Sequence, residues 1–464
     1  MSEHPGPDEE EFRELIREFL EGRGGIDPAQ LASAAGLPDN PVLLGQLMGH
    51  LQRAMQRDGD SIDWSLAAEQ AATIAHQGTV VTLPEEHTAL EQALGVAELW
   101  LDEATDLPQT PLPPRIMGRQ EWTTATMGVW TQLAEPVAGS IADALTSALT
   151  TAAPEELDGL MPGAAKIMRN IGGTLFAMQL GQVVGQLSGE VLSGGDIGLP
   201  LVADGQAAIL PQNALAFGHS LEQPIDQVQL WVAARELAHA RLFRHAKWLG
   251  LQLNTAIIDY ARGITIDMGA LEELASELDP QHPEALRAAF QDGRLIPPRS
   301  QAQQQALARL ETTLALIEGW VDVVTASATK RLPAAPAIAE AVRRRRAAGG
   351  PAERALAALV GLELRPRRLR EAAAMWQAVT GAVGTAKRDA LWSHPDLVPT
   401  AADIDDPAAL VARLLAGAPE PDDVDRAIED LLADDGGDRP TEGGGGPDDD
   451  GLGPIPDAGR GWDG

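Results

Sequence analysis

Residues 224–249 read PIDQVQLWVAARELAHARLFRHAKWL, with no glycine and no proline after Pro224. Val228, Trp231, Val232, Leu237, Leu242, Phe243, Trp248 and Leu249 recur at helical intervals, so the pattern predicts one long, largely buried helix over residues 225–249. Glu236 and His239 stand three apart and share a face of it. His245 follows six residues after His239. Placing proton-transferring and metal-capable side chains in an apolar helix is the strongest chemical signal in the chain.

The frame Arg235, Glu236, Leu237, Ala238, His239 is one residue away from HExxH. In that pattern two imidazoles four apart face one metal, and the Glu between them works as general base toward metal-bound water. Here the base, Glu236, and the second ligand, His239, are present. Arg235 stands at the first ligand position, and a guanidinium has no lone pair to donate. Six residues of unbroken helix rotate by about 600°, so His239 and His245 share a metal only if the helix ends or bends between them.

A second polar cluster lies downstream. Residues 301–328 form a predicted helix in which Glu318 and Asp322 stand four apart among Leu314, Ile317, Val321 and Val324. Either carboxylate would complete a zinc site begun by His239. Equally, either would pair with Arg235, which needs an anion if it is buried. The two long apolar helices each carry polar groups that need partners, so they are expected to pack together.

The resemblance extends past this helix. GQVVGQLSGEVLSGGDIGLPL at residues 181–201, LPQNALAFG at 210–218, LWVAARELAHARLFRHAKWL at 230–249, LALIEGWVD at 314–322, GLELRPRRLREAAAMW at 361–376 and RDALWSHPDL at 388–397 together resemble the actinobacterial family of zincin-like hydrolases and zinc-dependent metalloproteases. Relatives in that family carry the label of coenzyme F420 biosynthesis. The resemblance implies a mainly α fold, a zincin-like helical core with at most a small β-hairpin or sheet. It also implies Zn2+ as the cofactor to consider, set against the alternative that no metal is bound.

Composition bounds the rest. The chain has 464 residues, 44% of them hydrophobic, so it can bury a large core despite a formal net charge of -33. That acidity argues against nucleic acid or an anionic membrane surface as partner. With no cysteine, disulfides and thiolate metal sites are excluded. The acidic first residues lack the apolar stretch of a signal peptide, and the expected compartment is the cytoplasm.

Four regions are expected: an N-terminal helical region over 1–107, a zincin-like core over 115–406, C-terminal helices over 407–433 and a disordered acidic tail over 434–464. Pro108, Pro111, Pro113 and Pro114 form the first boundary. The tail carries nine acidic residues and two Arg, too little apolar surface to offset ordering. Short helices are expected at 9–20, 28–35, 41–55 and 64–76, and an amphipathic one through Leu90, Leu94, Ala97 and Leu101. Two major helices follow at 122–149, with Pro136 expected to kink or divide it, and at 164–192. In the latter, Gly181, Gly185 and Gly189 make a smooth stripe for a close neighbour. Residues 199–210 are expected to form a hairpin about Asp204 and Gly205. His219 falls in a loop before Pro224, and Met268 is a candidate to lie beneath a metal. Residues 331–370 carry ten Arg against three Glu, expected to neutralise carboxylates within the molecule. Asp403 to Asp406 reads as a turn.

Three functions are open. A metallohydrolase of peptidase type would use His239 with Glu318, Asp322 or His245 as ligands, Glu236 as base and Arg235 turned toward an oxyanion or substrate carboxylate. A catalytically inactive zincin would keep the cleft as a module binding a peptide or small molecule. A structural protein would use Arg235, Glu236 and His239 as an internal polar network. The preferred reading is a zincin-like metallohydrolase with a degenerate RExxH motif, and the alternative is the inactive binding or structural protein. Substrate, pathway and oligomeric state are not encoded in these patterns.

Overall fold

A computed structural model of the chain describes residues 62–152, 161–263, 299–351, 354, 357 and 367–416. Helix α1 is Ser65–Gln77 and α2 is Pro84–Asp102. In α2, Pro84 supplies a preset first turn, and the Glu86 carboxylate takes the Leu83 N–H at 2.8 Å. Its buried face is Leu90, Leu94, Ala97 and Leu101, as the spacing predicts. Strand β1 (Arg115–Ile116) precedes α3 (Arg119–Ala152), which runs through Pro136 without being divided there. Helix α4 is Met161–Ser188. Then come β2 (Ala208–Ile209), α5 (Pro211–Leu221), α6 (Ile225–His245) and α7 (Trp248–Ala261). The last group is α8 (Gln301–Ala328), α9 (Ala335–Ala347), α10 (Arg367–Ala390), α11 (Ala401–Asp405) and α12 (Pro407–Ala416).

The fold is mainly α, with a two-stranded sheet in which Arg115 pairs with Ala208 and Ile116 with Ile209 in parallel. This replaces the expected hairpin over 199–210. The turn forms there as a short 3-10 turn at Ala203–Gly205, with Asp204 at φ 56° and Gly205 at φ 64°, but residues 199–202 form no strand before it to pair with β2. The partners of β2 come from β1 and, through an antiparallel bridge, from Ser193.

Helix α6 lies at the centre, packed against α2, α5, α8 and α9. It stops at His245, four residues before the expected end, because Ala246 leaves the helical region (φ -96°, ψ 67°) while its N–H closes back on Leu242. His219 sits in the last turn of α5 rather than in a loop, and Asp403 lies inside α11 rather than in a turn. Helices α1 and α4 meet along the glycine stripe. A Cβ on Gly181 would stand 2.6 Å from the Ala67 carbonyl, and one on Gly185 would stand 2.7 Å from Ile74 Cβ. Gly319 does the same for α8 and α10, since a Cβ there would lie 2.7 Å from the Ala373 nitrogen.

Behind α8, Trp376 stacks on Trp392 at 5.4 Å and donates to the Leu316 carbonyl at 2.9 Å. Beside them Arg388 and Asp389 form a fully buried ion pair. Asp389 also accepts from Trp320 Nε1 at 2.8 Å, Thr105 Oγ1 at 2.7 Å and the Asp106 N–H at 2.8 Å. That carboxylate ties the connector after α2 to α8 and α10.

The described residues up to Leu415 belong to one unit, Met1–Leu415. Among the described residues no helix is long and apolar enough to cross a membrane. The expected helices at 9–20, 28–35 and 41–55, Met268 and the tail over 434–464 lie outside the described residues.

Candidate functional site

Helix α6 presents Arg235, Glu236 and His239 to α8 and to the loop at residues 191–199. All three side chains are buried, His239 to 1% exposure and Glu236 to 2%. The expected packing of α6 on α8 brings Glu318 directly to His239. His239 Nε2 lies 3.2 Å from Glu318 Oε1, while Nδ1 faces the Arg235 carbonyl at 3.1 Å. A carbonyl only accepts, so Nδ1 carries the proton of that bond. Phe243 stacks on the ring at 6.3 Å.

Glu318 is the hub. It binds Arg235 Nη2, and Arg346 grips both of its oxygens, Nη2 to Oε1 at 2.9 Å and Nη1 to Oε2 at 2.5 Å. Burial alone would raise its pKa, but Arg346, Arg235 and His239 outweigh that and hold the carboxyl well below its ordinary value of 4.5. Asp322, one turn on, is half-buried and is bound by Arg343 at 3.1 Å, with Arg235 Nη1 at 3.9 Å. Arg235 also lies over the Trp231 ring at 5.8 Å.

Glu236 points elsewhere. Its Oε2 accepts the Gly195 N–H and its Oε1 the Ala208 N–H, both at 2.8 Å. Burial pushes its pKa up, and His239, the two N–H groups and Ser193 only partly counter this. The proposed base therefore joins α6 to β2 and to the Gly-rich loop. His245 is exposed at the last residue of the uninterrupted α6 and does not join His239.

Sequence reasoning placed neither Arg346 nor the loop Ser193–Gly198 at the site. That loop closes over the cluster because its glycines leave room. A Cβ on Gly195 would stand 2.8 Å from His239 Cβ, and one on Gly198, at φ 77°, would stand 2.8 Å from Glu318 Oε1. The available signal was three glycines within five residues, GGDIG, in a chain with an ExxH helix. The Arg-rich segment does neutralise carboxylates within the molecule. Besides Arg343 and Arg346, Arg331 pairs with Glu103, Arg345 with Asp196, Arg354 with Glu190 and Arg368 with Asp405.

Whether these residues fit a zinc ion turns on the donor set. Catalytic zinc takes three protein ligands and leaves a position open. Here His239 and Glu318 converge, Glu236 is engaged by two N–H donors, and two guanidiniums contact the acid that would serve as ligand. Among the described residues no three His, Asp or Glu side chains gather at one metal-sized point. In this arrangement the residues do not fit zinc.

Comparison with known families matches residues 62–411 to the family described as zincin-like metallopeptidase. Among solved structures, the chain is similar to one from Chloroflexus aurantiacus described as "a putative hydrolase with a novel fold", at TM-score 0.52 and 19% identity, covering 76% of this chain and 99% of that one. At that identity the likeness speaks to the fold. No curated protein sequence matches.

Proposed function

The chain belongs to the zincin-like metallopeptidase family, and from that premise we propose that it is a zincin-like, hydrolase-type scaffold working as a binding module for a peptide or small molecule, without zinc catalysis. The observation carrying this reading is the double clamp on Glu318. Arg235, at the first ligand position of the motif, and Arg346 from α9 supply positive charge to an acid that in a metal site would face the ion. Glu236 is buried and spends an acceptor site of each oxygen on a backbone N–H, which ties it to the loop and to β2. Cytoplasmic residence belongs to the same proposal and rests on the cysteine-free, acidic composition.

One observation favours the metallohydrolase as a second reading. The Nδ1 bond to the Arg235 carbonyl orients the ring as outer-shell partners orient metal-binding histidines, leaving Nε2 toward Glu318. Zinc titration of the full chain, with metal content measured after dialysis, separates the two. The binding-module reading expects less than about 0.1 zinc per chain, since a site with the usual ligands would retain the ion. Retention near one zinc per chain, abolished by His239→Ala, would overturn it in favour of the metallohydrolase.

A further inference from the structure

The residues that cover His239 and Glu318 are held from outside by one short helix. Residues 191–199 are all buried. On the inner side, Gly195 donates to Glu236 and packs against His239, and Gly198 packs against Glu318. On the outer side the last turn of α9 holds the same loop. Arg346 Nη2 donates to the Asp196 carbonyl at 2.7 Å, Arg345 Nη1 binds Asp196 Oδ2 at 3.3 Å, and Arg345 also reaches the Glu190 carbonyl. Asp196 Oδ2 in turn accepts the Leu192 N–H at 3.0 Å, closing the loop on itself. Arg346 thus bridges cover and core, gripping Glu318 with the guanidinium that also holds Asp196.

We propose that α9 is a latch. Its Arg345 and Arg346 keep the Ser193–Gly198 loop closed over the His239–Glu318 pair, and the pair becomes reachable from solvent when those two arginines release the loop. This rests on the binding reading of the site and specifies how access to it is controlled. The asymmetry of the contacts supports a latch over a permanent core. Arg345 keeps 24% side-chain exposure and bonds Asp196 in the loop and the Glu190 carbonyl just before it, whereas Arg235 and His239 on the inner side are buried to 7% and 1% exposure. Three of the loop's six residues are glycine, and Ile197 is the one apolar side chain it sends into the core. Its first half is also tied to β2, through the Gly194 N–H to the Ala208 carbonyl at 2.8 Å and the Ser193–Ile209 bridge, so the part whose polar ties are α9 and its own turn bonds is Asp196–Gly198.

The test is Arg345→Gln in the full chain, which weakens the outer hold while leaving Glu318 paired with Arg235 and Arg346. Two readouts are taken without ligand: carbethoxylation of His239 by diethyl pyrocarbonate, and hydrogen exchange of residues 193–198. His394, 61% exposed, is the internal standard for reagent strength. The latch predicts His239 labelling at least about tenfold faster than in the parent, the population change expected from losing one charge-assisted hydrogen bond. Exchange should rise in the loop while the amides of residues 231–234 keep their protection. Unchanged His239 labelling, or exchange rising equally through α6, would overturn the latch. Asp196→Asn provides the second variant if Arg345→Gln does not fold. It keeps an acceptor for the Leu192 N–H, removes the charge facing Arg345 and carries the same two expectations. Because no ligand or zinc enters these measurements, their failure leaves the binding reading standing, and that reading is lost only through zinc retention.

Discussion

His239 Nε2 stands 3.2 Å from Glu318 Oε1 across 79 residues of sequence. Each would be a poor neighbour alone, since a buried carboxylate without partners is costly. Together with Arg235 and Arg346 they form a compact unit in which every formal charge has an opposite one beside it. A buried network of this kind stabilises less through its sum than through the cost of removing one member.

Arg235→His would complete HExxH in sequence while removing one of the two guanidiniums on Glu318. Breaking a buried ion pair costs about 3 to 5 kcal/mol, and Arg346 remains to hold the acid, so the loss should fall near the lower end. Thermal unfolding should show a clearly lowered midpoint, and zinc titration should show no gain in affinity. A tight zinc site in this variant, with the parent's stability retained, would contradict the network account.

Glu236→Gln is nearly isosteric, yet it should destabilise. Both carboxylate oxygens accept backbone N–H groups, and the amide turns one acceptor into a donor facing the N–H of Gly195 or Ala208. The loss of a hydrogen bond to a charged group is worth about 1.5 to 3 kcal/mol. Urea unfolding of parent and variant measures it, and an unchanged midpoint would mean that Glu236 does not hold the loop.

Acid should act through the two glutamates in opposite directions. Glu318 has a lowered pKa in the folded chain, so its contribution is whole above about 4.5 and is lost as pH falls through the folded value. Glu236 has a raised pKa, so protonating it on the way down toward 4.5 relieves a cost of burial. Urea midpoints measured at a series of pH values should hold or rise slightly from neutrality to mild acid, then fall below about pH 4.5. In Glu318→Gln the plateau should be lower and the acid fall shallower; an unaltered acid limb would remove Glu318 from the account.

Asp389→Ala tests the second buried node. It would strand Arg388 and leave Trp320 Nε1, Thr105 Oγ1 and the Asp106 N–H without their acceptor. The expected loss is about 3 to 5 kcal/mol by denaturant unfolding, with the near-ultraviolet signal of Trp320 altered. A change below about 0.5 kcal/mol, the scale of ordinary surface substitutions, would show that the node contributes nothing.

The helical core was legible because its signals are local. Spacing gave the buried faces of α2 and α6, and the glycine stripe gave the close approach of a helix to α4, though not that the helix is α1. The meeting of Glu318 with His239 was legible too, since two apolar helices with polar clusters have few other places to put them. The end of α6 was not, because no Gly or Pro marks Ala246. The turn at Asp204 was readable from its residue types, but the partner of β2 comes from Arg115 and Ile116, and no local pattern specifies a pairing across that separation. Arg346 belonged to a segment whose neutralising role could be read, whereas its particular carboxylate depends on how α9 crosses α8.

The Asp389 node has a consequence for the order in which the chain can be finished on the ribosome. Its carboxylate receives Thr105 and Asp106, and Asp389 follows Thr105 by 284 residues. At about 5 to 20 residues per second, synthesis separates them by roughly a quarter of a minute to a minute. Through that interval the connector after α2 waits for a partner not yet made, and Trp320 emerges before the acid that takes its N–H. The first helices can form early, but their attachment to the rest is a late event, sealed by one aspartate near the end of α10.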